Sequence, residues 1–240
     1  MGTKQRETKK LNQIFDQILK RVLMTPTSTP REALYIETGL LDIETIINKN
    51  RLNMKARLNR GTSELMKNLL NYPGAKWAMK TDKLMQELGI TDDDLTGSKY
   101  NTKTKVEAKV IPYFKTKISE SGEKKSKIQY LISQSKPWEP GKPAKYITQL
   151  TRKQTSTIFK TRTRMLQVKN NYPSAHNDLT CRACKKTTET QEHVLQKCTT
   201  LHSSTLHITN NSEIFTDDIE TLRHATFKIQ HTLDNLKKFV

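Results

Sequence analysis

Apolar residues are scarce in this chain. They make up 34% of its 240 residues, below the roughly 45–50% of an average soluble domain when glycine is counted with them. No run approaches the roughly 18 consecutive apolar residues of a membrane span, so no membrane partner is expected. The N-terminal MGTKQRETKK is charged and lacks an apolar core, which excludes a secretory signal there. Cysteine is rare as well. Three residues cannot build a disulfide framework, and their small number points to a reducing, intracellular setting, nuclear or cytoplasmic. Eight Gly and eight Pro exclude collagen-like and low-complexity chains. Acids are short: 24 Asp and Glu stand against 42 Lys and Arg, for a net charge of +18. That imbalance is silent on fold but suits a polyanionic partner, nucleic acid before membrane surface. There is no Gly-rich phosphate loop and no G-x-S-x-G, so the chain alone is not expected to be an enzyme. The thin apolar share implies a modest core, or one completed by a partner.

What is present reads as helix. Leu11, Ile14, Phe15, Ile18, Leu19 and Val22 recur at amphipathic spacing up to Met24-Thr25-Pro26. Thr29-Pro30-Arg31-Glu32 has the form of a capping box with Pro at the first helical position, and Gly39 suits the end of that helix. Asp42 can cap a third helix running to about Arg60, with Lys49, Arg51, Lys55, Arg57 and Arg60 on its basic side. Ser63 can cap a short helix ending at Tyr72-Pro73-Gly74, and a further helix spans about 75–88. Residues 91–105 are polar and read as loop. Residues 106–132 read as helix with a break near Pro112. The turn-rich Lys136-Pro137-Trp138-Glu139-Pro140-Gly141-Lys142-Pro143 marks an internal boundary. Helix follows over 144–167, loop over 172–180, and a long last helix over about 216–239.

The strongest chemical signal is Cys181-x2-Cys184-x8-His193-x4-Cys198, which gathers every cysteine of the chain within 18 residues. A Cys-x2-Cys turn offers two thiolates from one tight knuckle, and a later His and Cys close a tetrahedral site. Four filled positions leave none for water, so one structural zinc is expected, not a catalytic one. The competing interpretation is buried free cysteines beside an incidental histidine. Thr188-x-x-Gln191 resembles a capping box for the helix carrying His193 and Cys198. His202 and His207 are rival ligands at poorer spacing.

Charge layout is the second signal. From Pro140 to Asn177 there is no Asp or Glu, while Lys142, Lys145, Arg152, Lys153, Lys160, Arg162, Arg164 and Lys169 fall in that run. An acid-free basic stretch leading into a zinc knuckle suits a phosphate-tracking groove, with Arg182, Lys185 and Lys186 on the knuckle extending it. Tyr146, Phe159 and Tyr172 are candidate stacking surfaces, or core residues. In the last helix Ile219, Leu222, Thr226, Ile229, Leu233, Leu236 and Val240 alternate by three and four, which fits a partner helix or packing on the helix's own domain. Asp92-Asp93-Asp94 reads as a cap or a solvated turn.

Three stretches also resemble a known family. Ser28–Met54 (STPREALYIETGLLDIETIINKNRLNM), Phe159–Tyr172 (FKTRTRMLQVKNNY) and Cys181–Cys198 (CRACKKTTETQEHVLQKC) occur in the order found after the polymerase core of non-LTR (LINE-type) retrotransposon reverse transcriptases. The resemblance implies a helical thumb-like region over 1–136, a basic linker and helix over 137–180, and a CCHC zinc knuckle with a C-terminal helix over 181–240. It implies a mainly α fold, with Cys181, Cys184, His193 and Cys198 as zinc ligands and RNA or DNA as partner. An upstream polymerase core is a further partner it implies. No Tyr/Phe-x-Asp-Asp metal motif is present, and 42 residues follow Cys198, too few for a further endonuclease domain. The resemblance is therefore to a truncated or co-opted C-terminal piece, and polymerase activity is not expected.

Overall fold

The computed structural model describes residues 3–65, 68, 76–135, 137–202 and 206–239. Among these the fold is mainly helical. The elements are α1 (Thr3–Val22), α2 (Arg31–Thr38), α3 (Ile43–Asn59), α4 (Lys76–Leu88), α5 (Lys99–Glu123), α6 (Ser126–Gln134), α7 (Lys145–Gln149), α8 (Arg152–Arg162) and α9 (Ile219–Lys237). Extended pairing is confined to two isolated bridges, Glu139–Lys142 and Thr180–Thr188. No helix among the described residues is long and apolar enough to cross a membrane. Most of the short helix expected between Ser63 and Gly74, together with Lys136 and Val240, lies outside the described residues.

Several helix ends follow local chemistry. Asp42 Oδ1 accepts from the Thr45 amide at 2.7 Å, capping α3 as expected. Gly39 closes α2 in the left-handed region (φ 65°), its amide reaching Tyr35 O at 2.9 Å. Other ends differ from expectation. Pro30, not Thr29, sits at the start of α2, and Thr29 Oγ1 is buried without a partner. Glu32, expected to reach back to the cap, takes Lys125 Nζ at 2.7 and 2.8 Å. Helix α5 begins at Lys99, where Ser98 Oγ accepts from the Asn101 amide. It also runs unbroken through Pro112. Pro112 and Ala108 are both exposed, so water can satisfy the Ala108 carbonyl that Pro112 cannot serve. On the opposite face Thr102, Val106, Val110, Phe114 and Ile118 are buried at every fourth position and hold the helix together. The helix expected over 144–167 divides into α7 and α8, because Thr151 and Gln154 form a full capping box that starts a new helix.

Two compact units emerge. One comprises the chain up to Phe15 with Leu41–Ser121. The other comprises Asp16–Leu40 with the chain from Gly122 onward. The basic run and the cysteine cluster, expected as separate regions, therefore share a unit with α2. In the first unit α3, α4 and α5 enclose Leu52, Ala56, Leu84, Met85, Ile90, Leu95, Val106 and Val110. The basic side of α3 is largely engaged within that unit. Lys55 pairs with Asp82 (2.8 Å) and Asp92 (3.1 Å), and Lys49 with Glu107 (3.3 Å). Asp94 caps the Thr91 turn, so the Asp92–Asp94 run is a cap and ion-pair element.

In the second unit α2 is buried along nearly its whole length. The last helix spends its heptad face here: Leu222, Ala225, Thr226, Ile229 and Leu236 are all buried. Ile219 and Leu233, on the same face, are half-buried. Helix α1 does the reverse. Its Leu19 is buried, but Leu11, Ile14, Ile18 and Val22 are each about half exposed.

Gly39 is a point of closest approach. Gly141 N donates to Gly39 O at 2.6 Å, and a methyl at Gly39 would lie 2.7 Å from the Lys142 carbonyl carbon and oxygen. Gly89 has the same backbone conformation (φ 60°) with nothing within 4 Å of an added methyl. Gly89→Ala is expected to cost only left-handed strain, about 1 kcal/mol, and Gly39→Ala about 2–3 kcal/mol. Urea midpoints of the two variants check this, and equal shifts would contradict the close approach.

Glu213 ties the loop before α9 to that helix, accepting from Lys228 Nζ and the Thr209 amide, each at 2.7 Å. Burial pushes its carboxyl up, but Lys228 and Thr209 outweigh it and hold the group at about 2 against an ordinary 4.5. A depressed carboxyl stabilises the fold above the unfolded value and loses that contribution as pH falls from about 4.5 toward 2. Glu213→Gln is expected to cost about 1–2 kcal/mol at pH 7 and much less below pH 3. Denaturation midpoints of both proteins across that range are the measurement.

Candidate metal centre

The cysteine cluster is built on a turn stapled at both ends. Thr180 and Thr188 pair as an isolated bridge, with Cys181 N donating to Thr187 O and Glu189 N to Leu179 O, both at 2.7 Å. Between them the chain turns at Lys185, which adopts φ 56° and donates from its amide to Cys181 O at 3.0 Å. This tight turn brings Cys181 and Cys184 together. His193 and Cys198 come from the opposite side, at the ends of a π-helical turn (His193–Lys197) closed by Cys198 N donating to His193 O at 2.8 Å. The wider turn sets His193 and Cys198 five residues apart on one side, where an α-helix would rotate the fifth residue away.

The expected capping box at Thr188 does not form, because Thr188 is held in the bridge. Thr190 takes the capping role, accepting from the His193 amide at 3.0 Å. Gln191 turns inward and donates from Nε2 to Thr161 O at 2.8 Å.

One ligand atom from each of Cys181, Cys184, His193 and Cys198 lies within 4.8 Å of all the others. Cys181 Sγ and Cys198 Sγ are 3.9 Å apart, and Cys184 Sγ is 3.3 Å from His193 Nε2. A tetrahedral ion with metal–sulfur bonds of ~2.3 Å needs sulfur–sulfur edges of ~3.8 Å. The four residues thus suit one metal ion, with no fifth protein donor needed and no position left open. Their electrostatics point the same way. Burial pushes the Cys184 thiol up, but the Lys186 amide and His193 outweigh it and bring it to about 6. Burial, then the negative Cys181 sulfur against the opposing Leu201 amide, pushes Cys198 to about 11. A bound cation would favour the thiolate form of these cysteines over the thiol. His202 is not a rival ligand in this arrangement. Its Nε2 meets Val194 O at 2.8 Å, and its ring stacks on His207 with centroids 4.6 Å apart.

Behind the cluster, Val168, Val194, Leu201 and Leu236 pack against Cys181 and Cys198. The sequence pattern missed Glu189, whose side chain is fully buried beside the cluster. It accepts from Arg182 Nη2 at 2.7 Å, Arg182 N at 2.9 Å and Lys169 N at 3.0 Å. Burial raises its carboxyl, but these donors, Arg182 first, hold it below its ordinary value. Nothing in its spacing distinguished it from Glu192, three residues further on.

The eleven basic candidates separate into three groups. Five are engaged within the chain. Arg182 is bound to Glu189, Lys142 pairs with Glu139 at 2.6 Å, and Lys169 reaches Thr180 O at 2.9 Å and Asp178 at 3.5 Å. Arg152 donates to Val22 O and Arg21 O. Arg162 is the clearest correction. It is 6% exposed, donates to Ile214 O at 2.9 Å and Thr216 O at 3.0 Å, and pairs with buried Glu37 at 3.3 Å. Its guanidinium lies over the Tyr146 ring, 4.6 Å from the centroid. Burial raises the Glu37 carboxyl, and Arg162 chiefly opposes that rise. Removing one partner of such a pair costs about 3–5 kcal/mol, so Arg162 is a fold residue and not a phosphate ligand. Arg164, by itself, stacks on Tyr130 at 3.8 Å. Lys145, Lys153, Lys160, Lys185 and Lys186 have no ion pair among the described residues. Of the candidate stacking aromatics, Tyr146 and Phe159 are core, and Tyr172 lies beneath Lys127.

No protein-family model matches this chain, and no curated protein or solved structure is detectably similar to it.

Elemental analysis of the extensively dialysed protein is expected to return about one metal ion per chain, and none for Cys184→Ser treated with chelator. Ligand thiols must lose protons to bind, so affinity for the ion falls as pH drops. Affinity that does not change between pH 8 and pH 5 would exclude thiolate ligation.

Proposed function

We propose that this chain is a zinc-stabilised helical module that binds RNA or single-stranded DNA, and that its role is binding without a catalytic step. The proposed parentage is the C-terminal region of a non-LTR-type reverse transcriptase, with α1 to α3 corresponding to a thumb. The family resemblance of the three quoted stretches supports it, as does the order of helices and cysteine cluster. Zinc is the ion best matched to three thiolates and one imidazole in a closed tetrahedron.

One observation carries the nucleic-acid reading. Lys127 and Lys160 are half-buried, their ammonium groups are lowered by burial, and no carboxylate stands beside either to offset that loss. Lys127 Nζ reaches Met165 Sδ at 3.1 Å and lies over the Tyr172 ring, and an added phosphate would supply the negative charge that both lysines lack. Lys153 lies seven residues before Lys160, on the same face of α8. The exposed Lys185 and Lys186 add charge at the metal-binding turn. Phosphates of a flexible strand fit such a discontinuous set better than the fixed spacing of a duplex.

A second reading, protein interaction through the last helix, gains a further candidate surface in α1. The exposed stripe Leu11, Ile14, Ile18 and Val22 is the surface a partner helix or a polymerase core would cover.

For a single-stranded oligonucleotide, five lysine–phosphate contacts predict a slope of log K against log salt near −3.5. Exchanging Lys153 and Lys160 for Gln is expected to reduce its magnitude by about 1.4 with the fold intact. A wild-type slope near zero would sink the phosphate contacts. Charge reversal of Arg162 is unsuitable for the comparison, since it breaks the Glu37 pair.

A further inference from the structure

Helix α8 ends in a Schellman turn. Met165 N donates to Lys160 O at 2.7 Å and Arg164 N to Thr161 O at 3.2 Å, which puts Arg164 in the left-handed region at φ 52°. Gly or Asn ordinarily takes that position, because a longer side chain costs strain there. Strain kept at one residue points to a use for its side chain. Arg164 is exposed, and its guanidinium lies over the Tyr130 ring, 3.8 Å from the centroid. The ring covers one face of the guanidinium and holds it in place, whereas the N–H groups lie in the guanidinium plane and point outward from its edge. Arg164 opposes the rise that burial imposes on the Tyr130 hydroxyl, and with five N–H groups it keeps donors to spare. Among the described residues no carboxylate is paired with it. Glu192, on the same cleft, is taken by Lys197 at 2.5 Å, with Arg164 a lesser influence on its carboxyl.

That cleft, about 130 Å³ and partly open, is lined in part by Arg164, Asn170, Gln196 and Asn211. Gln196 and Asn211 hold each other through one amide hydrogen bond of 3.0 Å. Whichever of the two donates, the other keeps an NH2 group that the bond does not use. Asn170 adds an exposed amide. We propose that this cleft seats one phosphate group, with Arg164 as its charged ligand and the Asn211–Gln196 pair and Asn170 as neutral donors. The seat rests on the nucleic-acid reading above, to which it adds a contact of a different kind: an arginine fork held by an aromatic ring, where the other contacts are lysines on flexible stems. The planar fork matches two phosphate oxygens at once, and amide donors serve the remaining oxygens. A partly open cleft suits a phosphodiester, whose strand must leave the site on both sides. With its ring under Arg164, Tyr130 is not offered to a base, so the seat positions a strand without reading its sequence. One side of the cleft belongs to the turn that carries a metal ligand, since Glu192, Leu195 and Gln196 flank or follow His193.

The full zinc-loaded chain is titrated separately with a single-stranded oligonucleotide, with inorganic phosphate and with oligoglutamate, while the Arg164 Nε–H signal is followed by NMR. The oligonucleotide is expected to shift that signal, inorganic phosphate to shift it more weakly, and oligoglutamate to leave it in place. This comparison needs no variant to fold. Arg164→Asn keeps a residue suited to the left-handed turn, so its urea midpoint is expected to match or exceed that of the wild type. The same variant is expected to bind the oligonucleotide about tenfold more weakly, the worth of one charge-assisted contact. Its slope of log K against log salt is expected to be smaller in magnitude by about 0.7. Salt-dependent binding of the oligonucleotide with an unmoved Arg164 signal would overturn the seat and leave the nucleic-acid reading standing. No oligonucleotide binding, with the signal still shifted by inorganic phosphate, would overturn that reading and keep the seat for a free phosphate. A shift with oligoglutamate alone would overturn the phosphate assignment in favour of an acidic protein segment. No binding and no shift with any probe would overturn both the seat and the nucleic-acid reading.

Discussion

The buried pair of Arg162 and Glu37 is the constraint around which the C-terminal unit is arranged. Each of the three nitrogens of that arginine fork is engaged. Two of its nitrogens hold the carbonyls of Ile214 and Thr216, a third holds Glu37, and its flat face covers Tyr146. Three regions distant in sequence meet at one guanidinium: α2, the neighbouring α7 and α8, and the loop before α9. Ala144 N donating to Glu37 O and Gly141 N to Gly39 O extend the same junction along the backbone. Burying this pair repays its desolvation only because every segment is in place, so the arrangement specifies one geometry more than it adds stability.

The sequence told much about local structure and little about which charges meet. Asp42 and Gly39 were legible because a cap is decided by a few neighbouring atoms. The ligand cluster was legible for the same reason, its four members lying within 18 residues. The acid-free run was misleading. Residues 140–177 contain no carboxylate, yet the fold brings Glu37 to Arg162 and Glu139 to Lys142, and the Lys169 amide finds Glu189. Arg162 and Lys160 look equivalent in a composition window. One turns into the core and the other does not, because the buried face of α8 is set by Ile158 and Phe159. Nothing short of the tertiary fold distinguishes them. The last helix and α1 show the same limit: both have apolar periodicity, but only the first has its stripe covered.

Charge neutralised inside leaves a sharper picture of charge presented outside. A net charge of +18 suggested a broad basic surface. The structure reduces the candidate run to Lys145, Lys153, Lys160 and the stacked Arg164, with Lys185 and Lys186 on the cysteine turn. Glu189 and the bound Arg182 stiffen the base of that turn, and the packed Val168, Val194, Leu201 and Leu236 lie behind it. A cluster able to hold one metal ion and a small apolar cluster thus stand where a larger core would otherwise be required.

The division of the chain has a consequence for the order of events during synthesis. Helix α2 leaves the ribosome well before the arginine it needs, which follows 125 residues later. At roughly 5–20 residues per second, that gap lasts on the order of ten seconds. Throughout it α2 carries an unpaired carboxylate and a long apolar surface, while Leu41–Ser121, all of it emerging in the interval, is free to fold first. The nascent chain is therefore most vulnerable to aggregation and to chaperone capture at α2, and it leaves that state only when α8 arrives.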